Sequence, residues 1–207
     1  MNSVTVKNMC DIPADSGRAV SWNNNARLFA LKVLKEIKHN NWEFTLLFCD
    51  DKKIAELNNQ YRNKNEPTDI LTFKIDESKG FFPARDNNAS FYNPGDIVIS
   101  LDTLKENASF YNVPLDEELR RLIIHGILHL DGMNHKTNNK NEPMLEFQET
   151  ILGRLGNEKI IIDAALSATL SAASSAASRG TSSAASSAAS RGTSSAASSA
   201  APRGGKK

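Results

Sequence analysis

The stretch DIVISLDTLKENASFYNVPLDEELRRLIIHGILHLDGMNH, residues 96–135, decides the fold class, because it runs from a strand through two helices into three histidines. Its opening, DIVISL, is an apolar run of strand length. Residues 101–111 follow as a short helix. Pro114 stands where the first turn of a helix tolerates it, and Asp116, Glu117 and Glu118 complement the positive end of that helix's dipole. The helix runs to about Leu130, and Gly132 is its C-terminal stop.

Working outward, the flanking sequence alternates strand and helix patterns. Residues 3–6 form a short edge strand. In residues 26–40, Leu28, Leu31, Val33, Leu34 and Ile37 fall at helical spacing, with Lys35 and Lys38 in the closing turns. WEFTLLFC (42–49) is aromatic, apolar and too short for a typical helix, so it reads as a buried strand. Asp50 or Asp51 caps a helix that reaches Arg62 and turns Ile54, Leu57 and Tyr61 inward. Pro67 breaks the chain, residues 70–75 form a strand, and residues 77–95, with two prolines and three asparagines, form a loop. A last helix spans about 143–155, with Met144, Phe147, Ile151 and Leu155 on one side. The class is α+β, a small mixed sheet covered by helices.

Composition bounds the folding unit. Residues 164–207 are rich in Ser, Ala, Gly and Arg, with a twelve-residue repeat, SRGTSSAASSAA, and offer no apolar stripe to bury, so the domain is residues 1–163 and the tail is expected to be disordered. The net charge of +1 hides an asymmetry: Arg179, Arg191, Arg203, Lys206 and Lys207 lie in the tail without an acid, which leaves about −4 for residues 1–163. Bulk positive charge therefore does not drive any nucleic-acid contact by the domain; a local patch or a bound cation must. Cys10 and Cys49 read as reduced thiols. Without a leader-type N-terminus or a long apolar run, a soluble cytoplasmic protein is expected.

Three of the four histidines fall within eleven residues, as HGILHLDGMNH. The spacing of four stacks His125 and His129 on one helical face, and a turn at Gly132 swings His135 back as a third ligand. Three imidazoles favour zinc and leave a fourth tetrahedral position to water, the open arrangement of a catalytic site. Neutral ligands keep the full dipositive charge, which makes hydroxide available near neutral pH. A zincin protease would carry Glu after the first histidine as general base, whereas Gly126 stands there. A glycine inside a helix costs about 1 kcal/mol relative to Ala, which implies close approach of another backbone or a ligand.

HGILHLDGMNH resembles the HGxLHLxGxDH signature of the YbeY family, metal-dependent endoribonucleases of bacterial ribosomal RNA maturation. LNNQYRNKNEPTDILTF (57–73) is similar to that family's LNxxYRxxxxxTDVLSF, GDIVIS (95–100) to its GDI strand, and MLEFQETIL (144–152) to its final helix. The resemblance covers nearly all of residues 1–155. It implies cleavage of single-stranded RNA in 16S ribosomal RNA 3′ end maturation and ribosome quality control. It further implies partners in the small ribosomal subunit, one zinc per chain on His125, His129 and His135, and catalytic roles for Arg62 and His125. Arg62 would grip a phosphate bidentately and stabilise charge on phosphoryl oxygens. Asn134 departs from the family's usual Asp; if that Asp orients a ligand, Asn keeps a carbonyl oxygen and loses the charge.

Other polar residues carry two readings each. Thr68 and Asp69 start a turn or join the site. Asp96 braces the site or closes a loop. Asp131 reads as a solvated turn residue and His39 as a structural cation near a helix end. The alternative to an enzyme is a non-catalytic ribosome-assembly factor whose metal ties the last helices together; a metal hydrolase of a small ester is a third possibility.

Overall fold

The computed structural model describes residues 1–9, 18–75 and 91–161. Cys10, most of the expected loop over 77–95 and the repeat tail lie outside the described residues. The elements in order are β1 (Ser3–Asn8), α1 (Arg18–Glu36), β2 (Glu43–Cys49), α2 (Asp51–Arg62), β3 (Ile70–Lys74), β4 (Gly95–Ser100), α3 (Leu101–Phe110), α4 (Leu115–Leu130) and α5 (Pro143–Arg154). The expected mixed sheet is present, in the order β1-β2-β4-β3. β2 runs parallel to β1 and β4, while β3 pairs antiparallel with β4 at the far edge.

The central strands are covered on both faces, which is why EFTLLFC and GDIVIS read as nearly continuous apolar runs. Their side chains alternate between two cores. Phe44, Leu46, Phe48, Ile97 and Ile99 join the large core with α1, α3, α4 and α5. Cys49, Leu71 and Val98 face the smaller cluster under Ile54 of α2, with Leu47 and Phe73 packed against it. Each buried Leu or Ile contributes about 1.5–3 kcal/mol relative to exposure, so the large core dominates stability.

Helix α1 begins at Arg18, earlier than the sequence pattern suggests. Three asparagines at 23–25 are weak helix formers, but Trp22 packs its ring 4.6 Å from that of Phe48 and carries the helix through them. Its buried stripe is Trp22, Ala26, Phe29, Ala30, Val33 and Leu34, while Leu28, expected inside, is exposed. In α2 the cap is Asp50, which accepts from Lys53 N at 2.8 Å. Tyr61, also expected inside, is exposed and rests edge-on against Phe73. The inward polar residue is Asn58, which donates to Glu66 O at 2.9 Å and fastens the turn leading to β3.

Gly126 lets α4 lie directly on the sheet. A Cβ there would come within 2.9 Å of Ile97 and 3.1 Å of Ile70. The close neighbours are thus sheet side chains and not another backbone, and they fix the height and rotation of the helix that carries two of the histidines. Among the described residues no helix is long and apolar enough to cross a membrane.

Candidate metal centre

Helix α4 places His125 and His129 one turn apart on the face beside the one Gly126 turns to the sheet. The helix then ends in a Schellman turn: Gly132, at φ +96°, donates to His129 O at 3.0 Å and Met133 N to Leu128 O at 3.0 Å. That turn brings His135 back as expected. The ligand atoms of His125, His129 and His135 all lie within 4.8 Å of one another, and all three residues are buried.

The hydrogen bonds of the rings decide what they can do. His125 Nδ1 lies 2.8 Å from Gln148 Oε1, His129 Nδ1 2.9 Å from Met133 O, and His135 Nδ1 2.9 Å from Thr137 O. Each partner is an oxygen that only accepts, so each Nδ1 carries the proton and each Nε2 keeps a lone pair. The Nε2 atoms of His125 and His129 face each other at 3.0 Å. His135 Nε2 is buried without a hydrogen-bond partner. Three converging lone pairs with no proton among them are unfavourable unless a cation sits between them. A tetrahedral zinc with bonds of about 2.0–2.1 Å separates its nitrogens by roughly 3.3 Å, close to the spacing of the first pair. The donor set fits a divalent metal ion.

Electrostatics favour the neutral ligand form. Burial pushes the His125 pKa down from the ordinary histidine value, with the neighbouring His135 adding to the effect. Burial, His125 and, to a lesser degree, Arg62 push His129 down to about 3. Arg62 ends α2 half-buried, and burial lowers its own pKa. Its charge is the smallest of the contributions that lower the His129 pKa, and the residues the structure brings within reach of one ion are the three histidines.

The residues with two readings separate as follows. Asp69 accepts from Ile70 N at 2.8 Å and from Thr68 Oγ1 at 3.1 Å, the turn role, and its carboxylate also acts on His125 electrostatically. Asp96 accepts from Thr45 N at 3.2 Å and belongs to the pairing of β2 with β4. Asp131 is no free turn residue: His39 Nε2 donates to it at 2.6 Å, and the His39 ring stacks on Trp42. Asn134 turns its amide to Gly132 O at 3.0 Å and bonds no histidine, so it braces the loop instead of orienting a ligand.

Three supports were not read from the sequence. Gln148 holds His125, the Met133 carbonyl holds His129, and Glu142, which accepts from Thr137 N and Oγ1 at 3.0 and 2.7 Å, fixes the carbonyl that holds His135. Backbone carbonyls leave no mark in a sequence. Gln148 does, as a polar residue on the side of α5 shared with Met144 and Ile151.

A small mixed α/β domain with three histidines placed to bind a metal ion at the C-terminal end of a buried helix is the class defined by this fold and site. The family model described as Endoribonuclease YbeY matches residues 15–156. Endoribonuclease YbeY of Treponema denticola is 46% identical over 132 residues, 64% of this chain and 83% of that protein. Endoribonuclease YbeY of Treponema pallidum (strain Nichols) is 36% identical over 152 residues, 73% of this chain and 88% of that protein. Among solved structures, the solution structure of a Thermotoga maritima protein aligns with TM-score 0.48 at 25% identity, covering 74% of this chain and 89% of that one. The chain belongs to the endoribonuclease YbeY family.

Proposed function

We propose that this protein is a metal-dependent endoribonuclease that cuts single-stranded RNA in 16S ribosomal RNA processing, with zinc held by His125, His129 and His135 and with Arg62 as its phosphate clamp. The observation that carries this reading is that each Nδ1 lies 2.8–2.9 Å from an oxygen that can only accept, from which it follows that three Nε2 lone pairs meet. When bound, the ion supplies Lewis acidity, which makes water acidic enough to furnish a nucleophile near neutral pH.

The chain's own groups do the rest. The buried imidazoles stay neutral, and so neither reduce the charge of the ion nor compete for it with a proton. Arg62 presents a planar fork to two phosphoryl oxygens, orienting the phosphodiester and offsetting the negative charge that grows in the transition state. Neither role calls for bulk positive charge on the domain. The folding unit we assign is residues 1–163, supported by Ile160, which is fully buried, and by the tail composition.

The deciding experiment is cleavage of a labelled single-stranded RNA, with elemental analysis of the same samples. Wild-type protein is expected to hold about one zinc and to cut; His129→Ala should lose both metal and cleavage while keeping its circular dichroism. Metal-loaded wild type that leaves RNA intact would favour the assembly-factor alternative. Cleavage that survives in metal-free His129→Ala would remove the histidine centre from the reaction.

A further inference from the structure

The carboxamide of Gln148 can offer His125 either of two faces. With Oε1 toward Nδ1, as here at 2.8 Å, the ring must carry its proton on Nδ1 and leave Nε2 bare. Turned by half a rotation, the same group would donate to Nδ1, send the proton to Nε2 and close that nitrogen to a cation. Sterically the two orientations are nearly equivalent. What separates them is the neighbour of the other end: Gln148 Nε2 donates to Glu149 Oε1 at 3.0 Å, and an ionised carboxylate only accepts, so the amide nitrogen must face it.

Glu149 is an exposed side chain that would not by itself hold a fixed position, and here Arg121 secures it. The Arg121 guanidinium donates from Nε to Glu149 at 3.0 Å, while its other two nitrogens go to Glu118 at 2.7 Å and Glu117 at 2.8 Å. Glu118 is buried on α4, so the anchor is part of the helix that carries His125 itself. The chain of contacts runs Arg121, Glu149, Gln148, His125, from one turn of α4 across to α5 and back to the next turn of α4.

We infer that Gln148, oriented by the Arg121–Glu149 pair, is a positioning residue of the metal centre that selects the His125 tautomer able to bind the ion. The inference rests on the reading of the three histidines as ligands. It assigns α5 a part in metal affinity although none of its side chains belongs to the ligand set. The other two rings are oriented by backbone carbonyls, which cannot turn over; His125 alone depends on a group that can.

Nitrogen-15 NMR of the imidazoles in metal-free, full-length protein reads the tautomer directly, and competition with a chelator reads Zn²⁺ affinity. Wild type should show His125 protonated on Nδ1. Gln148→Leu should give a mixture of tautomers and bind Zn²⁺ about 10–100-fold more weakly. Gln148→Glu, which still accepts from Nδ1, should restore the tautomer and the affinity, a rescue that mere packing would not produce. Glu149→Leu, on an exposed side chain, takes away the oxygen that accepts from Gln148 Nε2 and should shift both readouts in the direction of Gln148→Leu. If Gln148→Leu fails to fold, as judged by circular dichroism, Glu149→Leu decides alone. An unchanged tautomer and Zn²⁺ affinity in the folded variants, or Nε2 protonation of His125 in wild type, would overturn the inference. Failure of wild type to bind Zn²⁺ at all would instead overturn the reading of the site beneath it.

Discussion

Arg62 is the proposed phosphate clamp, singled out by the motif it stands in and by the chemistry of a guanidinium. It is the last residue of α2, and the turn after it is set by Asn63 at φ +56°, whose N–H bonds Asn59 O at 3.0 Å. Burial lowers its pKa, yet a guanidinium stays charged at any working pH, so it is held as a half-buried cation whose field contributes a little to the lowered pKa of His129. Arg62→Ala should nearly abolish cleavage of single-stranded RNA. Arg62→Lys, which keeps the charge and loses the fork, should weaken it strongly, by a factor of about 100 if one transition-state donor is lost. Zinc content, measured on the same samples, should stay constant in both. Wild-type rates in metal-loaded Arg62→Ala would take Arg62 out of the chemistry. At this scale the histidine triad was legible because a spacing of four and a glycine turn are geometric statements made by residue type. Gln148, Asp131 and Asn134 were not, because the partner of a polar side chain is a tertiary fact: Asp131 finds His39 across 92 residues of chain.

The elements that carry the site are held by contacts their own sequences only half announce. As an acid in the first turn of α4, Asp116 complements the helix dipole, but it is buried and does more. Its Oδ1 accepts from Ile160 N at 2.8 Å and Ile161 N at 2.7 Å, and its Oδ2 from Arg120 Nε at 3.1 Å. Arg120 in turn donates to Leu155 O and Gly156 O at 3.3 and 3.2 Å. One buried ion pair thus ties the end of α5 and the segment after it to the start of α4. Asp116→Ala would strand the Arg120 charge in the interior and leave two backbone donors unmet, and removing one partner of a buried pair costs roughly 3–5 kcal/mol. For a domain of this size we expect Tm to fall by about 10 °C or more, measured by calorimetry on metal-free protein. A fall of about 2 °C or less would show that solvent reaches the pair and that the strap contributes little. The apolar stripes made the helices legible; the clamp between them was not, since Asp116 looks like any other first-turn acid until Ile160 is placed against it.

At the scale of the whole molecule, alternation of strand and helix patterns was enough for the class but silent on strand order. β2 pairs parallel with β4 and β3 takes the edge beyond it, while the alternating burial of Phe44, Leu46 and Phe48 against Leu47 and Cys49 records only which face of β2 meets which core. The extent of the folding unit is a separate matter, and composition argues it. Residues 164–207 hold five cations, no acid and almost no large apolar side chain, so they have little to bury and little to add to stability. A chain ending after Asp163 should keep the Tm of the full protein to within about 2 °C and keep its rate on single-stranded RNA at physiological salt. At low salt it should bind RNA somewhat more weakly, because each lost phosphate contact lowers the salt slope by about one. A chain ending after Gly156 should behave differently. It lacks Ile160, fully buried in the large core, and both backbone donors of the Asp116 strap, so it should melt several degrees lower. The two truncations together locate the boundary. If the chain ending after Asp163 melted many degrees below the full protein, the tail would have to pack on the domain, and residues 1–163 would not be the unit that folds.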